Sequence, residues 1–194
     1  FVDGLLENDK YGNYVPALAE SYEFNDDKTE WTFKIRKGVK WVTNEGEEYA
    51  ELKAQDFVTG LQHAADFKSR TASLVEGLIK NFSEYEAGEV TFDKVGVEAV
   101  DDYTLKYTLE KPVYYFYTLA TYGILFPINE DFLNSKGSGC KLGSPDLNAC
   151  DFGIVDPSSI LYNGGYILTN NTAKSIIEFT KNQNYWDAEH VYIN

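Results

Sequence analysis

Two acidic pairs, two histidines and two cysteines are the residues of this chain best equipped for chemistry. Asp26-Asp27 and Asp101-Asp102 could act as paired carboxylates, which acid–base hydrolysis uses when the two groups stand at a working distance. With 31 acidic residues in 194, however, adjacent acids are unavoidable. Both pairs also fall in stretches that read as turns, where aspartate bonds its own backbone. His63 lies on a helical pattern and reads as a partly buried structural residue. A zinc site would have to join Cys140 and Cys150 to His63 or His190, and neither histidine stands near the cysteines at ligand spacing. No G-x-S-x-G, P-loop or H-E-x-x-H pattern occurs. The expectation is binding rather than turnover, with no catalytic residue, no cofactor and no metal.

Charge and hydropathy narrow the partners. A net charge of −14 opposes a phosphate backbone, because nucleic-acid binders need a positive field and counterion release to gain affinity. The longest apolar run, Val113 to Ile128, is broken by Thr118, Thr121, Gly123 and Pro127 and falls short of the roughly 20 residues of a membrane-spanning helix. With 43% apolar residues the chain can bury one good core or two modest ones. Among fifteen tyrosines the densest group is Tyr114, Tyr115, Tyr117 and Tyr122 around Phe116. Clustered aromatics can stack on sugars, but this run continues into Leu119, Ile124, Leu125 and Phe126, so helix packing is the reading here.

The elements that would position these residues are mixed. Trp31, Phe33 and Ile35 alternate with Thr32, Lys34 and Arg36, the period-2 pattern of a half-buried strand. Leu18 to Phe24 forms the strand before it, and Asn25-Asp26-Asp27-Lys28 the turn between. Ala54 to Asp66 reads as a helix with Phe57, Val58, Leu61 and Ala65 on one face, and Ser69 could cap a second helix running to Lys80. Val95, Val97 and Ala99 alternate into the turn at Asp101-Asp102, and Tyr103, Leu105, Tyr107 and Leu109 alternate out, a second hairpin ended by Pro112. Tyr114 to Phe126 reads as a buried helix and its exit, and Ile167 with Ser175 to Thr180 as strands of another sheet.

Several phrases then fall in a recognisable order. They are Asp3-Gly4-Leu5; Pro16 with Leu18-Ala19-Glu20-Ser21-Tyr22; Thr32-Phe33-Lys34-Ile35-Arg36-Lys37-Gly38-Val39-Lys40-Trp41; and Ala54-Gln55-Asp56-Phe57-Val58. Val100-Asp101-Asp102-Tyr103-Thr104-Leu105 with Leu109-Glu110-Lys111-Pro112, Asn163-Gly164-Gly165-Tyr166, and Asn182-Gln183-Asn184-Tyr185-Trp186-Asp187 complete the series. Over nearly its whole length the chain resembles the extracellular solute-binding proteins that feed oligopeptide ABC importers, most of all the lipid-anchored Gram-positive ones. It departs at turn positions, with Asn44-Glu45-Gly46 for Asp-Gly, Gly165 for Pro or Ala, and Gln183 for Pro.

The resemblance implies a mixed α/β fold, part of a two-lobe type II periplasmic-binding-protein architecture with an inserted smaller α+β domain. Residues 1–15 and 127–194 would belong to the larger ligand-binding lobe, and 16–126 to the insertion. Pro16 and Pro127 flank that middle portion. Such chains are more than twice as long, so this one is expected to be a piece, without its leader, its lipidated cysteine and the second lobe. The implied protein is extracellular and cell-surface lipid-anchored, touching the membrane only through an anchor outside this segment. Its implied partners are oligopeptides and the membrane subunits of an ABC importer. In relatives a peptide lies extended between lobes and pairs its main chain with the protein. Asp3, Gly4 and Leu5 would form one edge of that pairing, with Gly4 permitting close approach, and Asn163 and Gly164 would stand at the cleft wall. Thr71 to Val75 would begin a helix near the cleft. In an exported protein the even cysteine count favours a Cys140–Cys150 disulfide, in a tract made irregular by Gly, Ser and Pro; two buried thiols are the alternative. Some relatives carry oligosaccharides, nickel or haem, and the same fold could serve a surface signalling protein or a cell-wall hydrolase. Oligopeptide capture is the reading adopted.

Overall fold

The computed structural model describes residues 1–193. A short antiparallel pair opens it, β1 (Leu6–Asn8) and β2 (Tyr14–Pro16), joined by a turn in which Asp9 Oδ1 accepts the Tyr11 and Asn13 N–H groups. β3 (Ala19–Phe24) and β4 (Glu30–Ile35) follow as the expected hairpin. Its turn is organised by Asn25, whose Oδ1 accepts both Thr29 and Glu30 N–H, while Lys28 adopts the left-handed conformation at φ 57°. β5 (Lys40–Val42) and β6 (Glu48–Glu51) form a second small pair leading into α1 (Ala54–Asp66), the helix that the apolar spacing predicts. Phe57, Leu61 and Ala65 are buried on its inner face, with Val58 half-buried at the margin.

The stretch from Ser69 to Lys80 does not form the second helix expected of it. Only Ala72–Leu74 makes a single 3-10 turn, and the rest is a chain of turns. Two local causes are visible. The Ser69 and Thr71 hydroxyls bond one another, a side-chain alternative to helix that serine and threonine offer readily. Gly77 at φ +61° then leaves the right-handed helical region, so the chain turns there although the buried Val75, Leu78 and Ile79 stand at the spacing of one helical face. After α2 (Phe82–Glu86) come β7 (Val97–Asp101) and β8 (Thr104–Thr108), the second expected hairpin, with Asp101 Oδ1 accepting Tyr103 N–H at 2.8 Å in its turn. The two hairpins fuse into one four-stranded antiparallel sheet of order β3-β4-β8-β7.

The aromatic run also differs from expectation. Instead of one buried helix it gives α3 (Phe116–Leu119) and a separate 3-10 turn at Gly123–Leu125. Thr118 Oγ1 donates to the Tyr115 carbonyl and Thr121 Oγ1 to that of Thr118, which satisfies the ends of a very short helix and lets the chain leave it. Phe116, Leu119, Ile124 and Leu125 are buried, but Tyr114 is 72% exposed and Tyr115 and Tyr122 also face solvent. α4 (Glu130–Ser135) is capped by Asn129, whose Oδ1 accepts Phe132 N–H. The tract beyond is irregular, as expected, and closed by a Cys140–Cys150 disulfide. On a chain-entropy basis a loop this short stabilises the fold by roughly 2.5–3 kcal/mol. Gly143 N–H donates to Asp66 Oδ2 at 2.7 Å and moors the loop to the end of α1. β9 (Tyr166–Thr172) and β10 (Ile176–Lys181) form a last two-stranded hairpin.

The main core gathers Trp31, Phe33 and Ile35 from β4, Leu105 and Tyr107 from β8, the inner face of α1 and Phe116. Phe33 is fully enclosed and sits between Tyr22 and Leu105 in the strand register. Replacing it with alanine removes a large buried side chain at a place the sheet cannot collapse around, so Phe33→Ala should cost about 3–5 kcal/mol. Chemical denaturation checks this, and an unchanged midpoint would show the face assigned wrongly.

His63 packs between Phe67 and Phe152 at ring-centroid distances of 4.3 and 5.2 Å, with no partner for Nδ1. Burial pushes its pKa down to about 4. Since the unfolded imidazole titrates near 6.5, this contribution to stability is complete above about pH 6.5 and is lost as pH falls through 4, at most about 3 kcal/mol. Burial pushes Asp56 the other way, up to about 6. Its contribution is complete below about pH 3.8 and is lost as pH rises through 6, so the two groups oppose each other over the same window. His63→Leu removes only the first, and its melting temperature should drop less than the wild type's between pH 7 and pH 4; calorimetry showing equal drops would contradict the assignment.

Candidate functional site

The two segments singled out in the sequence, Asp3–Leu5 and Asn163–Gly164, meet although 160 residues separate them. Asn163 Oδ1 accepts Asp3 N–H at 2.7 Å, and the Asn163 and Gly164 N–H groups both donate to the Phe1 carbonyl, at 3.1 and 2.8 Å. A backbone N–H must meet an oxygen, so the Asn163 amide is oriented unambiguously. Asn163 is only 1% exposed, a buried asparagine that joins backbone to backbone. Gly164 follows from this approach, because a Cβ there would stand 2.9 Å from both Asp3 Oδ1 and the Phe1 carbonyl.

A third segment completes the seam. Asn182 is buried, donates from Nδ2 to the Gly164 carbonyl at 2.9 Å, and offers Oδ1 to Asn184 N–H at 3.0 Å. Asn184 Nδ2 reaches the Gly46 carbonyl at 3.1 Å, tying the seam to the turn between β5 and β6. Tyr185 and Trp186 come next, and the Arg36 guanidinium lies over the Trp186 ring at 3.9 Å while pairing with Glu20 at 3.7 Å. Asn182, Tyr185 and Trp186 stand in one of the recurring phrases, and the sequence alone assigns them no role. The signal that could have found them was the asparagine shared with the other wall phrase, Asn163-Gly164.

The electrostatics of this corner are acidic. Burial raises the Asp3 carboxyl above its usual range, and Asp187 adds to the rise; Tyr185 and Trp186 pull against it without reaching hydrogen-bond geometry. Glu7 is raised by partial burial and by the charges of Asp3 and Asp187. Burial and Asp3 also hold the Tyr185 hydroxyl well above its ordinary value, so it stays a neutral donor. No group of three metal-capable side chains occurs among the described residues. The arrangement can hold main chains in register and present acids and aromatic rings to a ligand.

Gly4 and Leu5 are engaged in packing. A Cβ on Gly4 would stand 2.7 Å from the Phe126 ring and 2.9 Å from the Ala120 carbonyl, so the close approach it permits in this structure is that of the chain's own interior. The Gly4 carbonyl accepts Leu18 N–H, and that of the fully buried Leu5 accepts Ala17 and Ala19 N–H. Asp3 remains partly exposed. Thr71 and Leu74 are exposed and Ala72 and Val75 buried, none of them in the seam.

Comparison with known proteins places this geometry. Residues 13–194 match the family model of the bacterial extracellular solute-binding proteins, family 5, middle part. Across all 194 residues the chain is 50% identical to the oligopeptide-binding protein AmiA of Streptococcus pneumoniae, and across its length 47% identical to SarA of Streptococcus gordonii; it spans 28% of the length of each. Among solved structures, 97% of the chain superposes on the substrate-binding domain of an oligopeptide ABC transporter from Bacillus anthracis, with TM-score 0.81 and 33% identity, covering 33% of that chain. It superposes on 34% of Listeria monocytogenes OppA bound to peptide with TM-score 0.79 and 30% identity, again over 97% of its own length. With the expected mixed α/β architecture in place, this chain belongs to the bacterial extracellular solute-binding proteins, family 5.

Proposed function

We propose that the protein to which this chain belongs captures oligopeptides outside the cell and hands them to the membrane subunits of an ABC importer. The observation that carries this reading is the identity of about half the residues, over the full chain, with proteins named for oligopeptide binding. The seam supports it physically. A wall built from main-chain groups locked by buried asparagines is a rigid surface, and recognition of an extended peptide through its main chain needs rigidity more than particular side chains. In this reading Asp3, Asn163 and Gly164 stand at the cleft wall, and Gly4 and Leu5 fix that wall to the interior. Residues 1–15 and 127–194 form part of the larger lobe, and 16–126 the smaller inserted domain. The protein acts as a receptor rather than an enzyme, at the cell surface, held by a lipid anchor outside this segment.

Calorimetry on the full-length protein with mixed short peptides should give saturable binding. Residues 1–194 alone should give none, because half a cleft forfeits several hydrogen bonds worth about 0.5–1.5 kcal/mol each. In the full-length protein Asn163→Ala deprives the part-buried Asp3 N–H of its acceptor, so it should lower stability by about 1 kcal/mol and weaken peptide binding about tenfold. Micromolar binding by residues 1–194 would place the whole peptide site within this segment and overturn the half-cleft reading, and unchanged affinity in the variant would place the site away from Asn163.

A further inference from the structure

Asn163-Gly164 is the one asparagine–glycine pair in the chain. Such a pair carries its own chemistry. Glycine has no Cβ to shield its backbone nitrogen, so in a free chain that nitrogen attacks the side-chain amide of the preceding asparagine readily. The bond from Gly164 N to Asn163 Cγ forms and the Cγ–Nδ2 bond breaks. Nδ2 leaves as ammonia, taking the Gly164 amide proton with it. Water then opens the resulting succinimide ring at one carbonyl or the other. One opening gives aspartate at 163, and the other gives isoaspartate, in which the main chain runs through the former side chain.

The seam holds each participant away from this reaction. Gly164 N–H is committed to the Phe1 carbonyl at 2.8 Å, and Asn163 Oδ1 accepts Asp3 N–H at 2.7 Å. The nitrogen cannot release its proton, nor the side chain swing onto it, until those bonds part. Asn182 Nδ2 holds the Gly164 carbonyl at 2.9 Å, and both residues of the pair are buried from the water that the second step consumes. Neither product refits. Asn163 Nδ2 is buried without a partner, so an oxygen in its place puts an uncompensated charge where folding opposes it. Isoaspartate adds a carbon to the main chain before Gly164, where a single Cβ would already stand 2.9 Å from Asp3 Oδ1 and the Phe1 carbonyl.

We infer that Asn163-Gly164 is a latent modification site: the closed seam keeps the pair intact, opening of the seam exposes it to succinimide formation, and the product no longer closes the seam. Deamidation is then a one-way record of opening. The chemistry is independent of the peptide-receptor reading; its consequence, a loosened cleft wall, rests on that reading.

Peptide mapping of the full-length protein, incubated in mildly alkaline buffer, follows the amide-to-acid mass gain at residue 163, and isoaspartyl methyltransferase labels the isomer. In urea residue 163 should convert faster than any other asparagine of this segment, and in the native protein about a hundredfold more slowly than in urea. Asn182→Ala, which frees the Gly164 carbonyl, should raise the native rate about tenfold. Phe33→Leu, which weakens the sheet and leaves the seam alone, should not change it. No conversion in urea, or equal rates in urea and in the native protein, overturns the site, and this comparison needs no variant. Acceleration by both variants alike, or by neither, overturns the seam as the gate. Converted protein should bind short peptides about tenfold more weakly than unconverted protein. Equal affinity overturns the consequence for binding and leaves the modification standing, whereas failure of the unconverted protein to bind any peptide overturns the receptor reading and not the site.

Discussion

Strand β4 has neighbours on both sides and its apolar residues on one face, and most of the molecule follows from those two constraints. Trp31, Phe33 and Ile35 all point inward, so sliding β4 by one residue against β3 or β8 would turn the whole set toward solvent. The register is therefore fixed, and with it the positions of Tyr22 across one edge and Leu105 and Tyr107 across the other. The aromatic contacts are edge-on or tilted, as ring quadrupoles prefer: Phe33 meets Tyr107 at 6.0 Å and Trp31 meets Phe116 at 5.7 Å. Arg36, the residue after β4, donates from Nε to the Ala17 carbonyl and spreads its guanidinium over Trp186. The sheet thereby reaches the seam through one side chain.

The seam depends on bonds of a different kind. Each hydrogen bond from Asn163 or Asn182 adds little net stability, since the same groups bond water when the chain unfolds. Their value lies in exclusion, because both amide atoms of Asn182 and the Oδ1 of Asn163 find partners in this alignment, although Asn163 Nδ2 is buried without one. Asn163 and Asn182 thus favour one alignment of the first segment, Gly164 and the stretch before Trp186 over every slipped alternative. Burial raises the Asp3 and Glu7 carboxyls above their usual range, the charge of Asp187 adds to both, and that of Asp3 adds to Glu7.

Legibility in the sequence tracked whether local pattern and tertiary demand agreed. The hairpins at 18–35 and 95–109 and the helix from Ala54 to Asp66 were readable because alternation, turn aspartates and apolar spacing pointed to the same structure that the core required. Ser69 to Lys80 departs from the expected helix because serine and threonine hydroxyls and the conformation of Gly77 compete with helix, and apolar spacing does not register that competition. Tyr114 to Phe126 departs from the expected buried helix because tyrosine counts as apolar in a periodicity argument and yet tolerates solvent, as Tyr114, Tyr115 and Tyr122 do here. The meeting of Asp3 with Asn163 could not be derived from spacing at all. The family resemblance implies a cleft role for each segment but no contact between them, and the bond from Asp3 N–H to the buried Asn163 needs three dimensions to appear.

The buried carboxylate of Asp56 connects these levels. It accepts the Lys53 N–H at the start of α1 and the Trp41 indole N–H from β5, while its own carbonyl accepts Ile128 N–H from the stretch that enters α4. Lys53 sends its ammonium to Asp102 at 2.7 Å, leaving Asp56 to be satisfied by neutral donors. Burial exceeds what two hydrogen bonds return, which is why its pKa rises even though both bonds favour the charged form. That cost has a structural effect: with the indole nitrogen occupied, Trp41 turns only carbon toward the partly open cavity that Val2, Phe132 and Phe152 also wall. A polar residue inside the core is therefore what keeps the adjoining space apolar, and that wall rests on an acid that does not touch it.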